Sequence, residues 1–164
     1  MSKKILVVDD ESSIRDALSK VLQAEDYEVV VAENGQEAIE KFKLEKIDLL
    51  LLDLGLPVKD GWDTLIWLAE VDPFLPVIII TGRWNQKELA EKMGADAIVE
   101  KPLNVPFLLQ TIRELINEPL ECRVQRGRHS ATGVRHVPCD HELFLKSLHE
   151  RYTTPFTFSG SKNH

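Results

Sequence analysis

Apolar residues in the first two thirds of the chain switch repeatedly between two spacings. Short aliphatic runs predict five strands, at Ile5–Val8, Val29–Val31, Ile47–Leu52, Val77–Ile80 and Ala97–Val99. Apolar residues at intervals of three and four predict a helix after each strand, within residues 14–22, 38–42, 62–68, 89–93 and 105–116. Strands of continuous apolar character are buried on both faces, and helical crossovers between them imply a parallel sheet. The pattern therefore predicts a three-layer α/β fold, with helices on both faces of one open sheet.

Polar residues at the starts of three predicted helices have the pattern of N-terminal caps. Asn34 precedes the second helix, with Glu37 three positions later, and Asn104 precedes the last helix. Ser13 and Asp16 have the spacing of a capping box at the start of the first helix. We therefore expect a side-chain cap at each of these three helix starts.

Charge is unevenly distributed and divides the chain near Pro119. Residues 1–119 carry 13 Lys and Arg against 23 Asp and Glu, whereas residues 120–164 carry 7 against 4, together with all five histidines. We expect one domain in residues 1–119. In residues 120–164 we expect a basic tail with His and Cys residues, flexible or partly helical, and no independent domain. An acidic first part makes nucleic acid an unsuitable partner for it, because affinity for nucleic acid comes largely from cations that contact phosphate.

The composition is that of a soluble globular protein, with 43% hydrophobic and 29% charged residues. The longest apolar runs, Ile47–Leu52 and Val77–Ile80, are far shorter than a membrane span. The N-terminal apolar run ends at Asp9, which argues against a secretory signal. We therefore expect a cytoplasmic protein without a membrane partner.

Reactive side chains follow four of the predicted strands. They are Asp9 and Asp10 after the first strand, Asp53 after the third, Thr81 after the fourth and Lys101 after the fifth. Because the carboxyl ends of parallel strands meet at one edge of the sheet, we expect these side chains to converge there. Carboxylates that lie close together raise one another's pKa unless a cation shares the site. Mg²⁺ suits such a site, because it binds one or two carboxylates and leaves room for a phosphoryl oxygen.

This combination of residues suits phosphoryl transfer. Asp53 is the best-placed nucleophile, because it ends the middle strand of the set, and a carboxylate can form an aspartyl phosphate. Lys101 and Mg²⁺ would neutralise charge on the transferred group, and Thr81 would donate a hydrogen bond to one of its oxygens.

The motifs at these strand ends resemble the receiver domains of response regulators in two-component signalling. The residues that carry the resemblance are Ile5-Leu-Val-Val-Asp-Asp-Glu11, Asp53-Leu-Gly-Leu-Pro57 with Gly61, Thr81-Gly82 and Lys101-Pro102. Each motif alone is weak evidence for this family, but the whole set in this order is very specific for it. The resemblance covers about residues 3–118. The resemblance implies a flavodoxin-like, doubly wound, five-stranded parallel sheet in the order 2-1-3-4-5.

The same resemblance implies a set of roles for individual residues. Asp53 would accept a phosphoryl group from the phosphohistidine of a sensor histidine kinase or a histidine phosphotransfer protein. Mg²⁺ would be held by Asp10, Asp53 and the backbone carbonyl of Gly55, with Asp9 acting largely through water. The Lys101–Pro102 peptide bond would be cis.

The resemblance also implies a function without metabolic chemistry. The domain would catalyse only its own phosphorylation and dephosphorylation, in a phosphorelay. It would switch the binding of an unidentified protein, or form a homodimer, through the face made by the fourth helix, the fifth strand and the last helix. We expect it to act as a stand-alone receiver.

Ile98 departs from the family pattern. Receiver domains usually have an aromatic residue three positions before the lysine, and this residue rotates together with the threonine when the domain is phosphorylated. Isoleucine has no large ring to move between buried and exposed positions. This departure leaves the chemistry of the site unaffected, and it bears only on how far the signal reaches the last helix.

Three alternative functions differ from this one in class. A transcription regulator would use the tail for DNA contacts, and an inactive receiver would serve as a permanent docking module. A phosphatase that forms an aspartyl phosphate would need a second aspartate two residues after the nucleophile, where this chain has Gly55. The phosphatase is therefore excluded, and the complete set of site residues speaks against the inactive receiver.

The tail offers several weak signals. Its arginines and glycines favour a solvated linker or a disordered tail. A basic patch that contacts nucleic acid or an acidic partner is an alternative, and a short amphipathic helix within residues 143–152 is another. The His and Cys residues raise the question of zinc, and they are Cys122, His129, His136, Cys139 and His141. Their spacing fits no paired-ligand pattern, so we do not expect a zinc site.

Overall fold

The computed structural model describes residues 1–56, 60–82, 95–122, 124 and 156–157. The strands are β1 (Lys4–Val8), β2 (Glu28–Ala32), β3 (Leu49–Asp53), β4 (Val77–Thr81), β5 (Ala97–Glu100) and β6 (Phe156–Thr157). The long helices within these residues are α1 (Ser12–Ala24), α2 (Gly35–Leu44), α3 (Asp60–Val71) and α4 (Val105–Ile116). The helix predicted within residues 89–93 lies outside the described residues, so α4 corresponds to the last predicted helix. Within the described residues, no helix has both the length and the apolar character that a membrane crossing requires.

One sheet with the strand order β2-β1-β3-β4-β5-β6 forms the centre of the fold. The first five strands pair in parallel, which confirms the predicted order 2-1-3-4-5 and the flavodoxin-like class. The sixth strand was not predicted, and it runs antiparallel to β5 at the edge of the sheet. A sheet wound in this way has its direction reversal between β1 and β3, and in such sheets ligands generally bind beyond the carboxyl ends of the strands at this point.

Both faces of β3 are buried, which explains why the sequence of this strand is a continuous apolar run. Leu49 and Leu51 lie in one buried cluster with residues of α1 and α4, and Leu50 and Leu52 lie in a second cluster with residues of α2 and α3. Successive side chains of a strand point to opposite faces, so both sets must be apolar when helices cover both faces. The burial of each such side chain stabilises the fold by about 1.5–3 kcal/mol.

Side-chain caps are present at two of the three helix starts where they were predicted. The Asn34 side chain accepts a hydrogen bond from the backbone N–H of Glu37 at 2.9 Å, and Asn104 accepts one from Phe107 at 3.1 Å. These contacts confirm both caps.

The capping box predicted for Ser13 and Asp16 is wrong. Helix α1 starts earlier, at Ser12, with Glu11 at the cap position and no side-chain cap. The reason is the turn that precedes the helix, in which the Asp9 carboxylate accepts the Glu11 N–H at 2.9 Å and so places the chain for the first helical turn.

Replacement of Asn34 by alanine should lower the free energy of unfolding by about 1 kcal/mol, because the first turn of α2 loses its side-chain acceptor. Asn34→Ser keeps a capping oxygen and should stay close to the wild type. Urea denaturation followed by circular dichroism measures both changes. Equal stability of the alanine variant and the wild type would show that the cap contributes nothing.

Candidate functional site

The carboxyl edge of the sheet brings together side chains from four strand ends. Asp9 follows β1 directly, Asp53 and Thr81 are the last residues of β3 and β4, and Lys101 follows β5. Asp53 pairs with Ile80, and Thr81 pairs with Glu100, so the ends of β3, β4 and β5 are nearly level. The parallel arrangement therefore places residues that are distant in sequence at one edge, as their positions at the strand ends predicted.

The Lys101 ammonium lies between two buried carboxylates. Its Nζ is 3.1 Å from Asp53 Oδ2 and 3.2 Å from Asp9 Oδ2. Both aspartates are almost completely buried, whereas the lysine side chain remains 22% exposed. Buried carboxylates are stable only when charge or hydrogen bonds compensate them, and this lysine supplies both to each aspartate.

The second oxygen of each aspartate accepts a backbone hydrogen bond. The N–H of Gly55 donates to Asp53 Oδ1 at 2.7 Å, and the N–H of Glu11 donates to Asp9 Oδ1 at 2.9 Å. Together with Lys101, these donors fix the orientation of both carboxylates. A carboxylate held in this way would need little reorganisation before a reaction.

Gly55 leaves space close to Asp53. A Cβ at this position would lie 3.0 Å from Asp53 Oδ1, so the Asp53 carboxylate would have to shift to accommodate it. The absence of a side chain therefore lets the backbone N–H approach the carboxylate closely.

Three carboxylates at this edge are close enough to share a metal ion. Asp9, Asp10 and Asp53 each offer an oxygen, and these three oxygens lie within 4.8 Å of one another. Asp10 is exposed, so the cluster is open to solvent on one side. Oxygen donors from carboxylates with an open side suit Mg²⁺, which retains several waters when it binds to proteins. The residues present therefore fit the cation that the sequence predicted.

The pKa values of Asp9 and Lys101 are each set by opposing effects of burial, hydrogen bonds and neighbouring charges. Burial raises the pKa of Asp9, and the negative charge of Asp53 adds to this, although the hydrogen bond from Glu11 and the charge of Lys101 oppose it. Partial burial acts to lower the pKa of Lys101, but the hydrogen bond to Asp53 and the charges of both aspartates outweigh it, so the pKa is raised. Lys101 is therefore a cation at neutral pH. Further positive charge at the site would favour the ionised form of the neighbouring carboxylates.

Thr81 and the turn after Lys101 complete the edge. Thr81 is buried, and its backbone carbonyl accepts a hydrogen bond from the N–H of Lys101 at 2.9 Å. The Lys101–Pro102 peptide bond is cis, which confirms the expectation from the family resemblance. The threonine and the lysine are thus joined through the backbone of neighbouring strands.

One residue at the edge was missed from the sequence. Glu11 Oε1 lies 3.7 Å from the Lys101 Nζ and forms a third, more exposed ion pair with it. Its position in the sequence could have indicated this contact, because Glu11 directly follows the two aspartates after β1. Of the residues considered and rejected for zinc, Cys122 alone is within the described part of the chain, and the other four lie outside it.

The chain matches the family model of the response regulator receiver domain over residues 5–113. It is 39% identical over 106 residues to the alkaline phosphatase synthesis transcriptional regulatory protein PhoP of Bacillus subtilis, an alignment that covers 63% of this chain and 44% of the relative. It is 33% identical over 119 residues to the chemotaxis protein CheY of Halobacterium salinarum, with coverage of 71% and 98%. The chain thus spans about half the length of the curated transcription regulators it matches, such as PhoP and CpxR, and nearly all of this CheY.

Solved structures are similar over the same region. A CheY-like receiver domain protein of Methanospirillum hungatei has a TM-score of 0.69 and 33% identity, covering 71% of this chain and 95% of that one. The response regulator TrrA of Thermotoga maritima, solved in complex with Mg²⁺-BeF, has a TM-score of 0.64 and 34% identity, covering 69% and 98%. The family match, the strand order and the residues at the carboxyl edge agree, and the chain belongs to the response regulator receiver domains of two-component systems.

Proposed function

We propose that this domain accepts a phosphoryl group on Asp53 in the presence of Mg²⁺ and thereby switches protein–protein interactions in a phosphorelay. The observation that carries the proposal is the position of the Asp53 carboxylate. It is buried, oriented by the Gly55 N–H and paired with Lys101 at 3.1 Å, beside two further carboxylates. A buried ion pair that only stabilised the fold would explain the ammonium but not the two further carboxylates, because carboxylates that lie close together repel one another.

The proposed reaction moves a phosphoryl group from nitrogen to oxygen. A carboxylate oxygen of Asp53 forms a bond to phosphorus, and the bond from phosphorus to the imidazole nitrogen of the donor breaks. The electron pair stays on the imidazole nitrogen, which takes up a proton from water. The donor is a sensor histidine kinase or a histidine phosphotransfer protein, and hydrolysis of the aspartyl phosphate later restores the carboxylate.

Lys101 and Thr81 would stabilise the charge that develops during the transfer. The Lys101 ammonium already contacts Asp53, so it is placed to pair with an oxygen of the group attached there. The Thr81 hydroxyl would donate a hydrogen bond to another oxygen. Because a carboxylate nucleophile carries no proton that must be removed, no general base is required, and the transfer depends mainly on positioning and charge.

Mg²⁺ would be held by Asp10, Asp53 and the backbone carbonyl of Gly55, with Asp9 acting largely through water. When bound, the ion would neutralise negative charge on the carboxylates and on the phosphoryl group. The two oxygens of Asp9 accept hydrogen bonds from the Glu11 N–H and from Lys101, and these contacts orient the carboxylate beside the proposed ion site.

The downstream part of the proposal concerns a protein target. The phosphorylated domain would bind this target, or a second copy of itself, through the face of the fourth predicted helix, β5 and α4. The domain would catalyse only its own phosphorylation and dephosphorylation, in the cytoplasm. The division of the chain at Pro119 and the role of residues 120–164 stay predictions.

Phosphoramidate, a small compound with a phosphorus–nitrogen bond, tests the proposed reaction. Incubation of the full chain with phosphoramidate and Mg²⁺ should add one phosphoryl group, detected by intact-mass spectrometry, and excess EDTA should prevent the addition. A chain that remains unmodified with Mg²⁺ present, or that is modified equally well in EDTA, would contradict the proposal.

Replacement of Asp10 by asparagine should weaken Mg²⁺ binding on the order of tenfold, because the exposed member of the cluster loses its charge. Asp16→Asn is the matched control, since Asp16 is an exposed carboxylate on α1 and not one of the clustered acids. Isothermal titration with MgCl₂ measures the affinity of each variant. Equal affinities of the two variants would remove Asp10 from the proposed ligands.

A further inference from the structure

The outer edge of β5 carries a short strand from the far end of the chain. Residues Phe156 and Thr157 form β6, which pairs antiparallel with Val99 and Ile98. Thirty-one residues, 125–155, separate this strand from Val124, and a connection of that length easily spans the domain. The pairing therefore joins the two parts into which the charge distribution divides the chain.

The backbone edge is the part of β5 that is open to a strand. Ala97 and Val99 are buried in the cluster beneath α1 and α4, and Ile98 is buried at 4% exposure in the opposite cluster. On its inner side β5 pairs with β4. An unpaired outer edge would present backbone N–H and C=O groups to any extended segment, and β6 occupies part of this edge.

The β5 residues that pair with β6 lie close to Lys101 in sequence. The β6 ladder covers Ile98 and Val99, and Lys101 follows two residues later. The Lys101 N–H donates to the Thr81 carbonyl, and its Nζ contacts Asp53. A displacement of β5 along or away from β4 would therefore move the Lys101 ammonium relative to the phosphoacceptor.

Ile98, which stands where receiver domains usually have an aromatic residue, is also one of the two β5 residues paired with β6. The residue at the position of the usual mobile aromatic is here a buried isoleucine whose backbone is paired with Thr157. A buried aliphatic side chain and a paired backbone both favour one position of β5. The strand end that carries Lys101 is thus held on its outer side by the C-terminal segment.

We propose that Phe156–Thr157 acts in cis as an edge strand on β5 and positions Lys101 for the chemistry at Asp53. The effect on Lys101 rests on the proposed phosphoacceptor function, whereas the docking itself does not. The cis arrangement is favoured over a second copy, because a tethered segment has a far higher effective concentration than a separate molecule at micromolar concentration. Residues Phe156 and Thr157 are positioning residues, since they act through the backbone of β5.

The test compares two substitutions at one position in the full chain. Thr157→Pro removes the backbone N–H and disfavours the strand, whereas Thr157→Ala keeps the N–H and is the matched control. Hydrogen–deuterium exchange of residues 97–101 should be on the order of tenfold faster in the proline variant than in the alanine variant. Circular dichroism verifies that both variants are folded.

A second readout follows Lys101. Beryllofluoride with Mg²⁺, titrated and followed by ¹⁹F NMR, should bind about fivefold more weakly to Thr157→Pro than to Thr157→Ala, with the alanine variant equal to the wild type. Equal exchange in the two variants would overturn the docking. Faster exchange with unchanged beryllofluoride affinity would overturn the positioning of Lys101. If beryllofluoride binds to neither variant nor to the wild type, the proposed function fails and the claim about Lys101 fails with it, while the exchange data still decide the docking.

Discussion

Replacement of Lys101 by alanine is expected to slow phosphorylation of Asp53 by about 10²–10³-fold at saturating Mg²⁺. The ammonium is the cation that directly contacts both Asp53 and Asp9, at 3.1 and 3.2 Å. Its loss removes a preorganised charge from the position where charge develops on the phosphoryl group. The rate is measured with acetyl phosphate by intact-mass spectrometry at successive times.

Lys20→Ala is the control for the loss of a lysine, because Lys20 is exposed on α1. This variant should be phosphorylated at the wild-type rate. A Lys101→Ala variant that is folded and reacts within a few-fold of the wild type would contradict the role given to Lys101. Lys101→Arg should recover only part of the rate, since a planar guanidinium does not reproduce the compact charge of an ammonium.

Removal of Lys101 also alters the balance of charge among the carboxylates. Burial and the charge of Asp53 already raise the pKa of Asp9, and Lys101 is one of the groups that oppose this rise. Without the lysine, the pKa of Asp9 should rise further, and Mg²⁺ should stabilise the folded variant more than it stabilises the wild type. A larger stabilisation by Mg²⁺ would show that the substitution disturbs the site, whereas a protein that is merely less stable would not show it.

The sequence predicted the fold well because the strands are buried on both faces. In β3 all residues from Leu49 to Leu52 are fully buried, so the strand reads as an unbroken apolar run. The strand boundaries were less well predicted. Ile47 was included in the third strand, but β3 starts at Leu49, because Asp48 uses its carboxylate and N–H to bind the backbone of Lys4. Apolar character therefore marks burial, and hydrogen bonds decide where a strand starts.

The candidate site was accessible from the sequence because topology alone brings the strand ends together. The convergence of Asp9, Asp53 and Lys101 follows from their positions after parallel strands. The contact of Glu11 with Lys101 depends on a side-chain conformation, and the start of α1 depends on the Asp9 turn, so neither follows from residue spacing. The pairing of Thr157 with Ile98 joins residues far apart in the chain, and a two-residue strand has no periodicity that could reveal it.

Asp53, the proposed phosphoacceptor, provides the most direct test of the proposed function. Asp53→Asn retains the size of the side chain and an oxygen that can accept the Gly55 N–H, but its amide is a far poorer nucleophile than a carboxylate. Asp16→Asn on the surface of α1 serves as the control for the loss of a carboxylate. Circular dichroism should show that both variants are folded.

The decisive measurement is the intact mass of wild type, Asp53→Asn and Asp16→Asn after incubation with acetyl phosphate and Mg²⁺. The account predicts one added phosphoryl group on the wild type and on Asp16→Asn, and none on Asp53→Asn. An unmodified wild type, or an Asp53→Asn variant that gains the phosphoryl group as readily as the wild type, would contradict the assignment of Asp53 as the phosphoacceptor.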